Sequence, residues 1–132
     1  MSGKQTEGGD RPVTIAAILV GLVALEHVYF LIMEMFLWTS PGIRKSFGTS
    51  ASFARDSRPL AANQGLYNGF LAAGLVWGML HPIASTGYEI QTFFLVCVLI
   101  AAIFGGLTVK KSILYAQGIP AAAAWLAVMI AW

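Results

Sequence analysis

Four apolar stretches, each long enough to cross a bilayer as a helix, constrain this chain more than anything else in it. A transmembrane helix needs about 20 predominantly apolar residues to span about 30 Å of hydrocarbon. The stretches cover residues 13–38, 60–80, 90–107 and 113–132 and leave little of the 132-residue chain for other structure. Hydrophobic residues make up 58% of the sequence and charged residues 11%, and the mean hydropathy is +0.74, well away from soluble domains. The chain is therefore read as an all-α integral membrane protein, a four-helix transmembrane bundle. It has no room for a soluble catalytic module.

Local punctuation sets the expected span limits. Thr39-Ser40-Pro41-Gly42 ends the first, Pro59 opens the second, and His81-Pro82 stops it. Ser85-Thr86-Gly87-Tyr88 leads into the third, and Thr108-Val109-Lys110-Lys111 closes it; Gly118 and Pro120 lie near the start of the fourth, which they would kink or assign to the connection. These are turn formers and helix breakers. Mostly short connections make consecutive spans antiparallel neighbours, an up-down topology. Residues 1–12 are rich in Gly and charge, with too little apolar surface to offset ordering entropy, and are expected to form a disordered tail. Residues 13–132 then form a single transmembrane domain. The first apolar run is longer than a signal-peptide core and contains Glu26, so it is expected to be retained.

Charge sets the orientation. Arg44, Lys45, Arg55 and Arg58 lie between spans one and two, and Lys110 and Lys111 between three and four; the connection between two and three has no Lys or Arg. Basic residues accumulate in short cytoplasmic loops, so both termini are expected outside the cytoplasm in a multi-pass protein of the inner (plasma) membrane. The 39–59 connection, with Phe47 and Phe53 among its basic residues, suits either a solvated loop or a short interfacial helix. The basic residues form no aromatic-interleaved face, which excludes nucleic acid as a partner. The bilayer is the expected partner, with a homo-oligomer or a larger membrane complex left open. The single Cys97, inside an apolar run, reads as a small packing residue.

Polar groups inside the spans are the functional clue. Glu26, His27 and Glu34 lie in the first and Asn63, Gln64, Tyr67 and Asn68 in the second. A charged side chain at the bilayer centre costs roughly 2.5–3.5 kcal/mol on insertion scales, so such residues face partners, cavities or pathways. His27 and Glu34 are seven residues apart and share a helix side, while Glu26 points about 100° away. Glu34, Asn63 and Gln64 all come within about 6–8 Å of one membrane face at 1.5 Å per residue. The pairs Gly65 with Gly69 and Gly74 with Gly78 are small-residue spacings that let helix backbones approach. One reading makes the carboxylates part of an interhelical hydrogen-bond network. The other makes Glu26 or Glu34 a group that exchanges protons or cations, with Glu26 the stronger candidate because it lies deeper. As a metal ligand His27 would need further ligands from other helices; no metal and no cofactor is expected.

The segments Ala24-Leu25-Glu26-His27, Glu34-Met35-Phe36-Leu37-Trp38-Thr39, Asn63-Gln64-Gly65-Leu66-Tyr67-Asn68-Gly69-Phe70 and Gln117-Gly118-Ile119-Pro120 resemble a family of small bacterial four-span membrane proteins of unknown function. Some members of that family carry the label "putative epimerase". The resemblance implies the four-span topology. An epimerase would imply a sugar or nucleotide substrate, and the chain has no Gly-rich phosphate loop of dinucleotide type after a strand. Three classes of function fit the residues. The first is proton- or cation-linked transport of a small solute through the polar site in the bundle. The second is an accessory or structural membrane subunit that needs only the packing. The third is a membrane-embedded enzyme acting on a lipid-like substrate, with Glu26, His27 or Glu34 as acid or base.

Overall fold

The computed structural model describes residues 14–132, so the expected tail over residues 1–12 and the start of the first span at Val13 lie outside the described residues. The chain is all-α. The helices are α1 (Ile15–Phe36), α2 (Pro41–Phe47), α3 (Ala51–Leu80), α4 (Ala84–Thr108) and α5 (Lys111–Ala131). The expected four helices are thus corrected to five among the described residues, because the 39–59 connection contains α2 and the first turns of α3. Three helices, α1, α4 and α5, are long and apolar enough to cross a membrane. Length does not disqualify α3, which has 30 residues; its amides Asn63, Gln64 and Asn68 lower its hydropathy, and Arg55, Asp56 and Arg58 charge its first half.

Each helix end has a local cause. Thr14 caps α1, its side chain accepting from the Ala17 N–H at 3.1 Å, which satisfies one of the amides that no helical carbonyl reaches. Pro41 occupies the first turn of α2, where its missing N–H costs nothing. That helix ends on Gly48 at φ 65°, with the Gly48 N–H donating to Lys45 O and the Thr49 N–H to Arg44 O, the paired bonds of a Schellman motif. Ser50 caps α3 by accepting from the Phe53 N–H at 3.1 Å. His81, extended at ψ 131°, ends α3 because Pro82 disfavours a helical residue before it.

Two expected boundaries move for physical reasons. Pro59 lies inside α3, and Pro120 inside α5. Proline removes one ladder bond and tends to kink a helix, yet neither ends its helix here. The carbonyl freed by Pro59 belongs to Arg55, which is exposed and open to water. The segment Ser85-Thr86-Gly87-Tyr88 forms the first turns of α4 instead of a loop. Gly87 is needed there because a Cβ built on it would stand 2.6 Å from Gly78 O on α3.

The four long helices close a ring, α1 against α3 and α5, and α4 against α3 and α5. Connections of two or three residues make α3, α4 and α5 consecutive antiparallel neighbours. Ala16, Val20, Val23 and Ala24 of α1 pack with Leu75, Leu95, Val98, Ala121, Ala124 and Val128 in the core. The outward surface is apolar as well: Ile15, Ile18, Leu22, Leu25, Tyr29, Ile32 and Phe36 form an exposed stripe at helical spacing on α1. Soluble monomers rarely expose such a continuous apolar patch, whereas a bilayer covers it. At one end, α2 tucks under the bundle with Phe47 5.2 Å from Trp38 between ring centroids. There the Trp38 indole N–H donates to Ser57 Oγ at 3.0 Å and Lys110 Nζ donates to Ser46 O at 3.5 Å.

Candidate functional site

Helix α1 carries two carboxyls and a histidine, and the fold sends them to three different surroundings. Glu34 is buried against α3, where its Oε1 accepts from Asn68 Nδ2 at 2.6 Å. Gly65 makes this reach available. A Cβ on it would lie 3.1 Å from Glu34 Cβ and 2.8 Å from Met35 Cγ, so only a bare backbone lets α3 sit this close to α1. Gln64, one turn before Asn68, is a second amide near the same carboxyl. Asn63 and Gln64 are both exposed, and the side-chain hydrogen bond from α3 to Glu34 is donated by Asn68, not by the expected Asn63. Tyr67 is also exposed and stacks edge-on against Phe70 at 5.7 Å. A helix with amides at 63, 64 and 68 and Tyr67 between them cannot turn all four groups toward one neighbour.

His27 is fully buried and bridges in the other direction. Its Nδ1 lies 2.8 Å from Val23 O, and since a carbonyl only accepts, Nδ1 carries a proton. In the neutral ring Nε2 is then an acceptor, and the Gln117 amide of α5 lies 3.4 Å from it. His27 and Glu34 share the inner side of α1 yet bond different helices, α5 and α3. Gln117 was not singled out as a site residue in the sequence. The available signal was that it is the one amide in the last apolar run. Replacing it with Leu is expected to lower stability by about 0.6 kcal/mol, and at most about 1.7 kcal/mol, the range for interhelical hydrogen bonds in membranes. Thermal unfolding in detergent measures this, and an unchanged transition would show that the contact contributes nothing.

Glu26 has neither kind of partner. Its Oε1 is buried without a hydrogen-bond partner among the described residues. The side chain lines a groove of about 650 Å³ with Leu22, Leu25, Val28, Tyr29 and Ile32 of α1 and Pro120 of α5. Except for the carboxyl and the Tyr29 hydroxyl, the lining is hydrocarbon and aromatic ring. The groove opens on the outside of the bundle, with Leu25 and Tyr29 64% and 55% exposed. A second groove of about 490 Å³, between α1 and α3, contains no ionisable side chain among the described residues. Among the described residues no group of three or more His, Cys, Asp or Glu is placed to hold a metal ion.

A family profile described as "Protein of unknown function (DUF1304)" matches residues 21–129. The match contains all the polar residues just placed. The chain is also similar to the uncharacterized protein YpaA of Lactococcus lactis subsp. lactis (strain IL1403), with 32% identity over 108 residues that cover 80% of this chain and 89% of that protein. Neither description names an epimerase. No solved structure matches.

Proposed function

This chain belongs to that family of proteins of unknown function, and from there we propose that it is a four-span membrane protein that exchanges a proton or another cation at Glu26 while moving a small solute. The observation that carries this reading is the contrast along α1. His27 and Glu34 each have a side-chain partner on a neighbouring helix, whereas the Glu26 carboxyl has none among the described residues and faces a groove. A carboxyl left without partners at the depth of the hydrocarbon is costly. A transient cation or proton offsets that cost, and a group bonded to its own protein is less available for exchange.

A membrane span for α3 is supported by its length, roughly 45 Å at 1.5 Å per residue, and by its position in the ring between α1 and α4. Its least apolar buried side chain, Asn68, faces α1 and not the outside. The Lys and Arg pattern then puts α2 and the α4–α5 connection in the cytoplasm and both termini outside. A reporter fused after Trp132 is expected to score as external and one inserted near Lys45 as cytoplasmic. A cytoplasmic signal from the first would overturn the four-span reading.

The exchange itself is read most directly by infrared difference spectroscopy of the protein in lipid. One carboxyl band is expected to respond to bulk pH and to vanish in Glu26→Gln. A spectrum of Glu26→Gln identical to that of the unaltered protein would end the proposal. The alternative of an accessory subunit is favoured by the two satisfied cross-helix pairs and needs no exchange at Glu26, so the same measurement separates the two.

A further inference from the structure

Resting on the reading of Glu26 as an exchange group, we infer that the α1–α5 groove takes a lipophilic monovalent cation, an amine or onium ion with an apolar body, which reaches Glu26 sideways from the bilayer. Four features of the groove select this class. Its volume, about 650 Å³, lies within the range of small-molecule sites, roughly 300–1,000 Å³. Leu22, Leu25 and Ile32 supply apolar walls and Tyr29 an aromatic one, and an aromatic face attracts an organic cation.

The third feature is charge. Glu26 is the one carboxyl in the lining among the described residues, and Pro120, the residue contributed by α5, has no N–H. The site therefore offers a single negative charge and almost no donors. An anion would meet only the Tyr29 hydroxyl, a sugar only that hydroxyl and one carboxyl for its several hydroxyls, and Ca²⁺ would need six to eight oxygen ligands. One positive charge on an apolar body satisfies both the carboxylate and the walls. The fourth feature is direction: the exposed Leu25 and Tyr29 face the outside of the bundle, which is the hydrocarbon side. An apolar cation concentrates there, and a hydrated ion does not.

The exchange balances in charge and protons: a monocation that binds where Glu26 is protonated releases one proton as the carboxylate pairs with it. Tyr29 is the other titratable group in the lining, and His27, next in sequence, is turned inward to Val23 and Gln117.

Tetraphenylphosphonium and tetraphenylborate, ions of matched size and opposite charge, test this on the purified full chain in detergent by calorimetry. The cation is expected to bind saturably with one site per chain and to release a proton, and the borate is expected not to bind. Glu26→Gln is expected to weaken the cation by more than about tenfold, equivalent to 1.4 kcal/mol. Glu26→Asp, which keeps the charge, is expected to retain saturable binding, as is Phe93→Leu on α4, which does not line the groove. Equal binding of both ions, or cation binding unaffected by Glu26→Gln, would overturn the inference. If tetraphenylphosphonium does not bind while the pH-responsive Glu26 band persists, the cation class is wrong and the exchange group stands. If both are missing, the exchange reading falls with it.

Discussion

Gly87→Ala is expected to destabilise the bundle by about 1–3 kcal/mol, the usual cost of forcing a methyl group into a filled interior. The added carbon would stand 2.6 Å from Gly78 O. The obstacle is backbone, which cannot turn away as a side chain can. Gly78→Ala meets the same crossing from the other side, with Gly87 O and the Gln91 N each 3.0 Å from the new carbon. At Gly69 the nearest atom is the far end of Leu31, Cδ1 at 2.5 Å, which can rotate, so Gly69→Ala is expected to cost less. At Gly42 nothing lies within 4 Å, and Ala there serves as the control. Thermal unfolding of the four variants in one detergent reads the order. A Gly87→Ala transition as high as that of Gly42→Ala would show that α3 and α4 do not cross at this point.

That crossing shows how far the sequence alone carries. Gly74 and Gly78 announce themselves as a small-residue pair four apart on one helix, so a close neighbour is expected there. Gly87 does not, because it sits in Ser-Thr-Gly-Tyr, a run that reads as a turn until α3 is placed beside it. The all-α class and the pairing of consecutive long helices follow from apolar length and mostly short connections, which are local properties. The early start of α3 does not, since Pro59 is a breaker by local rules and is tolerated near the watery end of a long helix, and α2 is one of two readings that the 39–59 connection leaves open. Hydropathy alone also separates α3 from α1, α4 and α5, because it cannot distinguish an amide turned toward a partner helix from one turned toward lipid.

The candidate site divides in the same way. Seven-residue spacing places His27 and Glu34 on one side of α1, and the step of one residue turns Glu26 away; both follow from helix geometry. Which helix each side chain meets depends on the order of helices around the ring, and no local rule supplies that order. Asn68 rather than Asn63 meets Glu34 because Gly65, three residues before it, is where the backbones come together. Gln117 stayed outside the site in the sequence because its role requires α5 to lie beside α1.

Glu26→Gln and Glu34→Gln are expected to part company completely, although each replaces one intramembrane carboxyl with an amide of nearly the same shape. In Glu34→Gln the new amide oxygen still accepts from Asn68 Nδ2, so the helix pair survives. Glu34→Ala, by contrast, leaves the Asn68 amide without that acceptor and is expected to cost about 0.6–1.7 kcal/mol. In Glu26→Gln there is no described hydrogen bond to lose. The fold should therefore be unchanged, while the pH-responsive carboxyl band is lost and tetraphenylphosphonium binding weakens with it. A scaffold reading makes a different assignment: both glutamine variants would be silent in every measurement, and only Glu34→Ala would lower stability. Thermal unfolding, infrared difference spectra and cation binding on the same three preparations decide the matter. Loss of the band in Glu34→Gln with an unaltered Glu26→Gln would move the exchanging group to the α1–α3 contact and leave the α1–α5 groove without a role.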